Sequence, residues 1–215
     1  MIESIENALQ LGLIVLCLTI SAVYAFREKP PNGSLLVMFY GSYLLGDLYW
    51  LLYLLFYGHT PEIFYVSDLS WYAAYVFLHL MLQRFSTEEE RKSRPPLAYM
   101  PVILTTGMGV FYIWWGISYG SGGEYTGNFI SALMMSLLLI HSVRGLVFIR
   151  KNPEAANRKM LYIVTLVFCL IEYCAWTCSC FWFEDTLANP YLWFDFMLTV
   201  CMAFFLPAFR KAVKA

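Results

Sequence analysis

Most of the chain consists of long apolar runs that are separated by short polar segments. Seven of these runs hold roughly 20 residues each, which is the length of helix needed to cross a hydrocarbon core about 30 Å thick. The runs cover residues 8–26, 35–57, 61–84, 97–118, 126–149, 159–183 and 189–209. The pattern predicts an all-α integral membrane protein with seven transmembrane helices, in which residues 1–215 form one transmembrane domain.

The composition agrees with this hydropathy pattern. The chain is 60% hydrophobic and only 13% charged, whereas about 25% of the residues of a soluble domain are charged. We therefore expect the lipid bilayer as a partner, no nucleic acid, and a location in the plasma (cytoplasmic) membrane. All six cysteines fall inside predicted spans, where small apolar packing residues are expected rather than a disulfide framework.

The basic residues indicate how the spans are oriented. They follow the first, third, fifth and seventh spans, whereas the N-terminus and the segments 58–61, 119–125 and 184–188 contain none. Because loops rich in Lys and Arg stay on the cytoplasmic side, this distribution predicts an outside N-terminus and a cytoplasmic C-terminus.

Acidic residues recur inside the predicted spans at similar spacings. Asp47 and Asp68 are 21 residues apart, and Glu172 and Asp195 are 23 residues apart. Each pair follows a basic, proline-containing loop, "KPPNG" or "KNPEA". This recurrence predicts a 3+1+3 plan with two parallel copies of a three-helix unit. The predicted parts are repeat 1 (8–84), a linker helix (97–118) and repeat 2 (126–209).

This topology resembles the broad transporter–opsin–receptor class of seven-helix proteins. That class includes the SWEET and PQ-loop sugar carriers, the PnuC carriers and the microbial rhodopsins. The resemblance covers the plan of the whole chain but no specific motif, since the proline–glutamine pair of PQ-loop proteins is absent. Retinal binding in the rhodopsins needs a lysine in the last span, and "PYLWFDFMLTVCMAFFLPAF" has none. We therefore expect no cofactor.

The four intramembrane carboxylates are predicted to lie at one depth. From the helix rise of about 1.5 Å per residue, Asp47, Asp68, Glu172 and Asp195 lie roughly 10 Å below the outer face. An aspartate at the bilayer centre costs about 2.5–3.5 kcal/mol, so such groups face protein, water or one another. The basic residues are elsewhere, which leaves an acidic excess that a cation or protons would compensate.

Aromatic residues share helix faces with these acids, because positions three, four and seven apart are neighbours. Aromatic rings attract cations by about 0.5–2 kcal/mol each. The alternative is an interfacial aromatic belt with carboxyl groups that merely hold helices together. The predicted ligand-binding residues are Asp47, Trp50, Asp68, Trp71, Tyr72, Glu172, Trp176 and Asp195.

Two histidines, His79 and His141, fall in the inner half of the predicted bundle. They could form a proton path, although interhelical hydrogen bonds explain them equally well. The third histidine, His59, lies in an outer loop. Because the histidines are dispersed and neither HExxH nor GxSxG occurs, we expect no metal site and no catalytic residues.

The favoured function is a carrier for a small cationic or proton-coupled solute, and not an enzyme. One alternative is a seven-helix ligand sensor that signals to a separate cytoplasmic or membrane partner. The loop "QRFSTEEERKSRPP" could dock such a partner, or it could be a solvated linker. An intramembrane hydrolase is less favoured. Association into a homo-oligomer is compatible with all three functions.

Overall fold

A computed structural model describes residues 2–59, 61, 66–119, 125–179, 181–182 and 186–214. Residues 62–65 of the predicted span 61–84 and residues 180 and 183 of the predicted span 159–183 lie outside the described residues. Within the described ranges the chain is all-α and contains no β-strand. The apolar runs of the sequence therefore form helices, as predicted.

Nine α-helices and two short 3₁₀ segments make up the described part of the chain. The α-helices are α1 (Ile2–Glu28), α2 (Gly33–Tyr57), α3 (Val66–Phe85), α4 (Glu88–Lys92), α5 (Met100–Tyr119), α6 (Tyr125–Lys151), α7 (Lys159–Ser179), α8 (Pro190–Met202) and α9 (Phe205–Val213). The 3₁₀ segments, Pro96–Tyr99 and Pro153–Arg158, lead into α5 and α7.

Six helical segments of the described chain are long and apolar enough to cross a membrane. This number indicates an integral multi-pass membrane protein. The segments are Ile2–Glu28, Gly33–Tyr57, Pro96–Ser118, Phe129–Lys151, Pro153–Ser179 and Pro190–Val213.

The third predicted span is the one missing from this set, although its residues form the helix α3. Polar side chains such as Asp68, His79 and Gln83 lower its hydropathy. This helix packs between α2 and α6, and Asp68, His79 and Gln83 are each half-buried. A seventh crossing therefore stays a prediction.

Two sets of helices form the bundle. Helix α2 packs against α1 and α3, α7 packs against α6 and α8, and the pairs α3–α6 and α1–α8 join the two sets. Helix α5 packs mainly against α6. The interior is aromatic, with Tyr40, Tyr162, Phe168 and Phe205 fully buried. Helices α6 and α7 approach closely at Gly145, where an added Cβ would collide with the ring of Tyr162.

The predicted last span, 189–209, is two helices rather than one. Pro207 has no N–H to continue the helical ladder, and a turn at Ala203 and Phe204 separates α8 from α9. The buried hydroxyl of Tyr40, on α2, enters this break. It donates to the Met202 carbonyl at 2.7 Å and accepts the N–H of Leu206. A side chain thus satisfies backbone groups that the break releases.

Replacing Tyr40 with phenylalanine should destabilise the bundle by about 1–3 kcal/mol, because the ring is kept while two buried backbone groups lose their partner. Unfolding of the purified protein in detergent measures the change. Tyr99→Phe is the control, since Tyr99 is exposed and should tolerate the change. Equal stability of the two variants would show that the Tyr40 hydroxyl does not support the break.

Candidate functional site

Four carboxyl groups from four helices approach one another at the end of the bundle where α1 and α8 begin. Asp195 on α8 hydrogen-bonds Glu6 on α1 and accepts from Gln10 Nε2 at 3.3 Å. The charges of Glu172 and Asp195 both act on Asp47. Glu6, Asp47 and Asp195 are buried, with 7%, 2% and 7% of their surface exposed. We call Glu6, Asp47, Glu172 and Asp195 the acidic cluster.

A glycine and an indole position Asp47 within the acidic cluster. The Nε1–H of Trp71, on α3, donates to Asp47 Oδ1 at 2.9 Å. This contact requires glycine at position 46, because an added Cβ there would collide with the Trp71 indole. The ring of Trp50 packs beside Trp71, with 5.6 Å between centroids. The other carboxyl oxygen of Asp47 is buried and has no hydrogen-bond partner in the described structure.

Glu172 occupies the other side of the acidic cluster. It accepts a hydrogen bond from the hydroxyl of Tyr75, on α3. Glu172 and Trp176 also line a small cavity of about 20 Å³ between α5, α6 and α7. A cavity of this size holds one water molecule. Glu172 therefore borders a space that one water molecule can fill.

Within the described ranges, no Lys or Arg side chain forms an ion pair with this cluster. All 14 Lys and Arg residues lie in the described ranges, and their ion pairs with described carboxylates are Lys92–Glu88 and Arg158–Glu90. Both pairs are outside the acidic cluster. The four carboxyl groups are thus an acidic excess inside the bundle.

Some of the predicted ligand-binding residues belong to the acidic cluster, and others lie outside it. Asp47, Glu172 and Asp195 come together as described above, whereas Asp68 lies half-buried in the first turn of α3. The hydroxyl of Tyr72 points to α6, where it donates to the Gly127 carbonyl at 3.1 Å. Whether Asp68 and Tyr72 contact a ligand stays a prediction.

The sequence interpretation missed several members of the site. The predicted first span began at residue 8, but α1 begins at Ile2, which places Glu6 and Gln10 inside the bundle. Glu6, Gln10 and Ile14 follow one another at intervals of four residues. This spacing was a signal that the three side chains share the buried face of the helix. Tyr43 is also central, because it is buried among Glu172, Asp47 and Asp195.

A second polar group lies further along α3. His79 follows Tyr75 by one helical turn, and its ring contacts that of His141 on α6, with 4.7 Å between centroids. The guanidinium group of Arg144 donates to His141 Nδ1 at 2.7 Å. The His79 Nδ1 atom is buried without a hydrogen-bond partner among the described residues. The structure therefore brings together the two histidines that the sequence placed on a path.

The opposite end of the bundle is held by a buried ion pair. Arg158 Nη1 contacts Glu90 Oε2 at 2.9 Å, with 8% and 0% of these side chains exposed. Tyr162 and Ser86 donate to Glu90 Oε1 at 2.6 and 3.1 Å. We call these four residues the inner clasp.

The inner clasp corrects one interpretation of the sequence. The loop "QRFSTEEERKSRPP" was expected to be a solvated linker unless it docked a partner. Glu88 and Glu89 are exposed in agreement with a solvated linker, but Glu90 is fully buried. The hydropathy of the loop could not reveal this ion pair, because Arg158, the partner of Glu90, lies 68 residues further along the chain.

Among the described residues, no group of three or more His, Cys, Asp or Glu side chains is arranged to hold a metal ion. The acidic cluster and the neighbouring part of α3 present carboxyl groups, phenols, indoles and imidazoles. These groups can bind a cation or exchange protons.

The inner clasp gives a matched test of stability. Glu90→Gln leaves Arg158 buried without its counter-charge and should cost about 3–5 kcal/mol. Glu88→Gln, in the same short helix, breaks an exposed pair with Lys92 and should cost about 0.5 kcal/mol or less. Unfolding in detergent compares the two variants. Similar small losses in both would contradict a structural role for the inner clasp.

Comparison with known proteins identifies no family and no function for the chain. No protein-family model, curated protein or solved structure matches the chain. The resemblance to the transporter–opsin–receptor class is thus still a prediction from topology, and the function has to be argued from the site itself.

Proposed function

We propose that the chain is a membrane carrier for a small cationic or proton-coupled solute, and that the acidic cluster is its binding site. The observation that supports this function is that the carboxyl groups of Glu6, Asp47, Glu172 and Asp195, on four helices, act on one another electrostatically inside the bundle and pair with no described Lys or Arg. Ionisable groups inside a membrane bundle mark ion, proton or substrate pathways more often than they serve packing.

Charge balance determines what the cluster can bind. Ionised carboxylates without counter-charge are expensive to bury, and the contact between Glu6 and Asp195 is attractive only if a proton lies between them. An empty site therefore holds protons, and a bound cation replaces them. The indoles of Trp50 and Trp71 and the phenol of Tyr43 supply aromatic surface for a cation at the same place.

The polar groups along α3 provide a route for protons away from this site. Glu172 contacts Tyr75, His79 lies one turn further along, and His79 contacts His141. An imidazole ring can pass a proton on by accepting it at one nitrogen and releasing it from the other. In the proposed carrier, this row links the acidic cluster to the half of the bundle that contains Arg144.

The proposed topology has the N-terminus outside, α3 as a seventh crossing and a 3+1+3 repeat. The packing is compatible with a repeat, because exchanging α1, α2 and α3 with α6, α7 and α8 maps each contact among these six helices onto another. The pair α1–α2 maps onto α6–α7, α2–α3 onto α7–α8, and α1–α8 onto α6–α3. In a carrier, such halves would rock against each other around the site.

A carrier that works by alternating access opens its site to one side of the membrane at a time. Two features at one end of the bundle are suited to such opening and closing. The inner clasp ties the end of α3 to the start of α7, and the break between α8 and α9 supplies a bend near the same end. In the proposed cycle, the inner clasp opens when the acidic cluster becomes accessible from the cytoplasm.

Transport by proteoliposomes tests the proposal. Guanidinium, choline, ethanolamine and spermidine serve as cationic probes, and an entrapped pH-sensitive dye reports proton movement. The wild-type protein should move protons when at least one probe is added on one side. Glu172→Gln keeps the shape of the side chain but removes its titratable proton, so we expect at least a tenfold loss of this flux.

Glu154→Gln is the control, since Glu154 is exposed at the start of the segment that leads into α7. This variant should transport as the wild type does, and both variants should unfold at the same temperature. If Glu172→Gln folds normally and keeps the full flux, the carrier proposal fails, and the carboxyl group of Glu172 holds helices together instead.

A further inference from the structure

An apolar groove lies on the side of the bundle, remote from the acidic cluster. It has a volume of about 420 Å³ and runs between the start of α5 and the end of α6, with Leu166 of α7 also lining it. Three of its α5-side residues, Leu97, Met100 and Leu104, have more than half of their surface exposed. The groove therefore opens outward, toward the surroundings of the bundle.

Two matching stripes form the walls of the groove. Both have the 0, 3, 4, 7 spacing of a single helix face. One wall is Leu97, Met100, Pro101 and Leu104, and the other is Val143, Leu146, Val147 and Arg150. The two stripes run antiparallel, so Leu97 and Arg150 meet at the same end. From Val143 to Arg150 the wall is about 10 Å long.

Arg150 is the one charged residue of the groove lining. It is the penultimate residue of α6 and is exposed, at the end of the bundle where the basic loops lie. Its guanidinium group forms no ion pair or side-chain hydrogen bond with the described residues. An apolar channel thus ends in an available cation that can pair with a phosphate through two N–H groups.

We propose that this groove binds one acyl chain of an anionic phospholipid, whose phosphate pairs with Arg150. The apolar walls fit a hydrocarbon chain, and the position of Arg150 at one end fits the headgroup of the same molecule. Basic pockets between transmembrane helices on the cytoplasmic side are suited to anionic headgroups. The site would couple the α5–α6 pair to the lipid composition of the membrane.

The polar contacts of α5 with α6 and α7 lie outside the groove. Helix α5 is held to its neighbours by polar contacts further along its length. Tyr112 pairs with Thr177 of α7 at 2.6 Å, and Thr105 pairs with Ser136 of α6. The described hydrogen bonds include no such contact from the stretch between Leu97 and Leu104 to α6 or α7. A lipid chain in the groove would fill the space between these helices.

Lipid binding to the purified, full-length protein tests this site. The protein in detergent is titrated with phosphatidylglycerol or phosphatidylcholine of identical acyl chains, and the bound lipid is counted by native mass spectrometry. The wild type should retain phosphatidylglycerol in preference, because both lipids carry a phosphate but the choline cation of phosphatidylcholine neutralises it and competes with Arg150. Arg150→Gln should reduce this preference about fivefold, the effect of losing one basic contact worth about 1 kcal/mol.

Lys151→Gln is the matched control, because it removes the same charge from the next, exposed position of α6 but Lys151 does not line the groove. It should keep the wild-type preference. Leu104→Trp, which fills the groove from an exposed position, should reduce binding of both lipids. Inorganic phosphate should not displace the bound lipid, since it has no acyl chain.

Three results would overturn the proposal. Equal losses in Arg150→Gln and Lys151→Gln would indicate diffuse attraction to the basic end of the bundle. Equal retention of the two lipids by the wild type would indicate no headgroup recognition. Full displacement by inorganic phosphate would indicate an anion site without a lipid chain.

Discussion

Burying carboxyl groups without basic partners is the constraint on which the rest of this structure depends. Asp47 and Asp195 are buried among apolar helices, where an uncompensated charge costs several kcal/mol. The bundle meets this cost locally, with hydrogen bonds from Trp71, Tyr75 and Gln10. Each donor comes from a different helix than its acceptor, so the acidic cluster also fixes how α1, α2, α3, α7 and α8 are arranged.

The opposite end of the bundle follows a different rule. There the buried acid, Glu90, has a full counter-charge in Arg158 and further donors in Tyr162 and Ser86. The buried acid at this end of the molecule is thus paired with a basic residue, whereas the acidic cluster at the other end has no Lys or Arg partner among the described residues. This asymmetry is what a carrier needs, because a site must accept a cation while the far end stays closed.

Hydropathy predicted the helices well because backbone hydrogen bonding in a membrane leaves few alternatives to a helix. Hydropathy was less informative about contacts between residues on different helices. The polar α3 falls short as a candidate span although it packs against both α2 and α6, and Glu6 lies before the predicted start of α1. The bend that Pro207 permits was foreseeable, but the insertion of Tyr40 into it was not, since 162 residues separate Tyr40 from Met202.

The most direct test of the central claim is infrared spectroscopy of the protein in lipid, without added cation, at neutral pH. Four uncompensated carboxyl groups should show the carbonyl band of protonated carboxylic acid. This band should weaken in Asp195→Asn and in Glu6→Gln and disappear when a transported cation is added. A spectrum with ionised carboxylate bands alone, in the absence of any cation, would contradict the account.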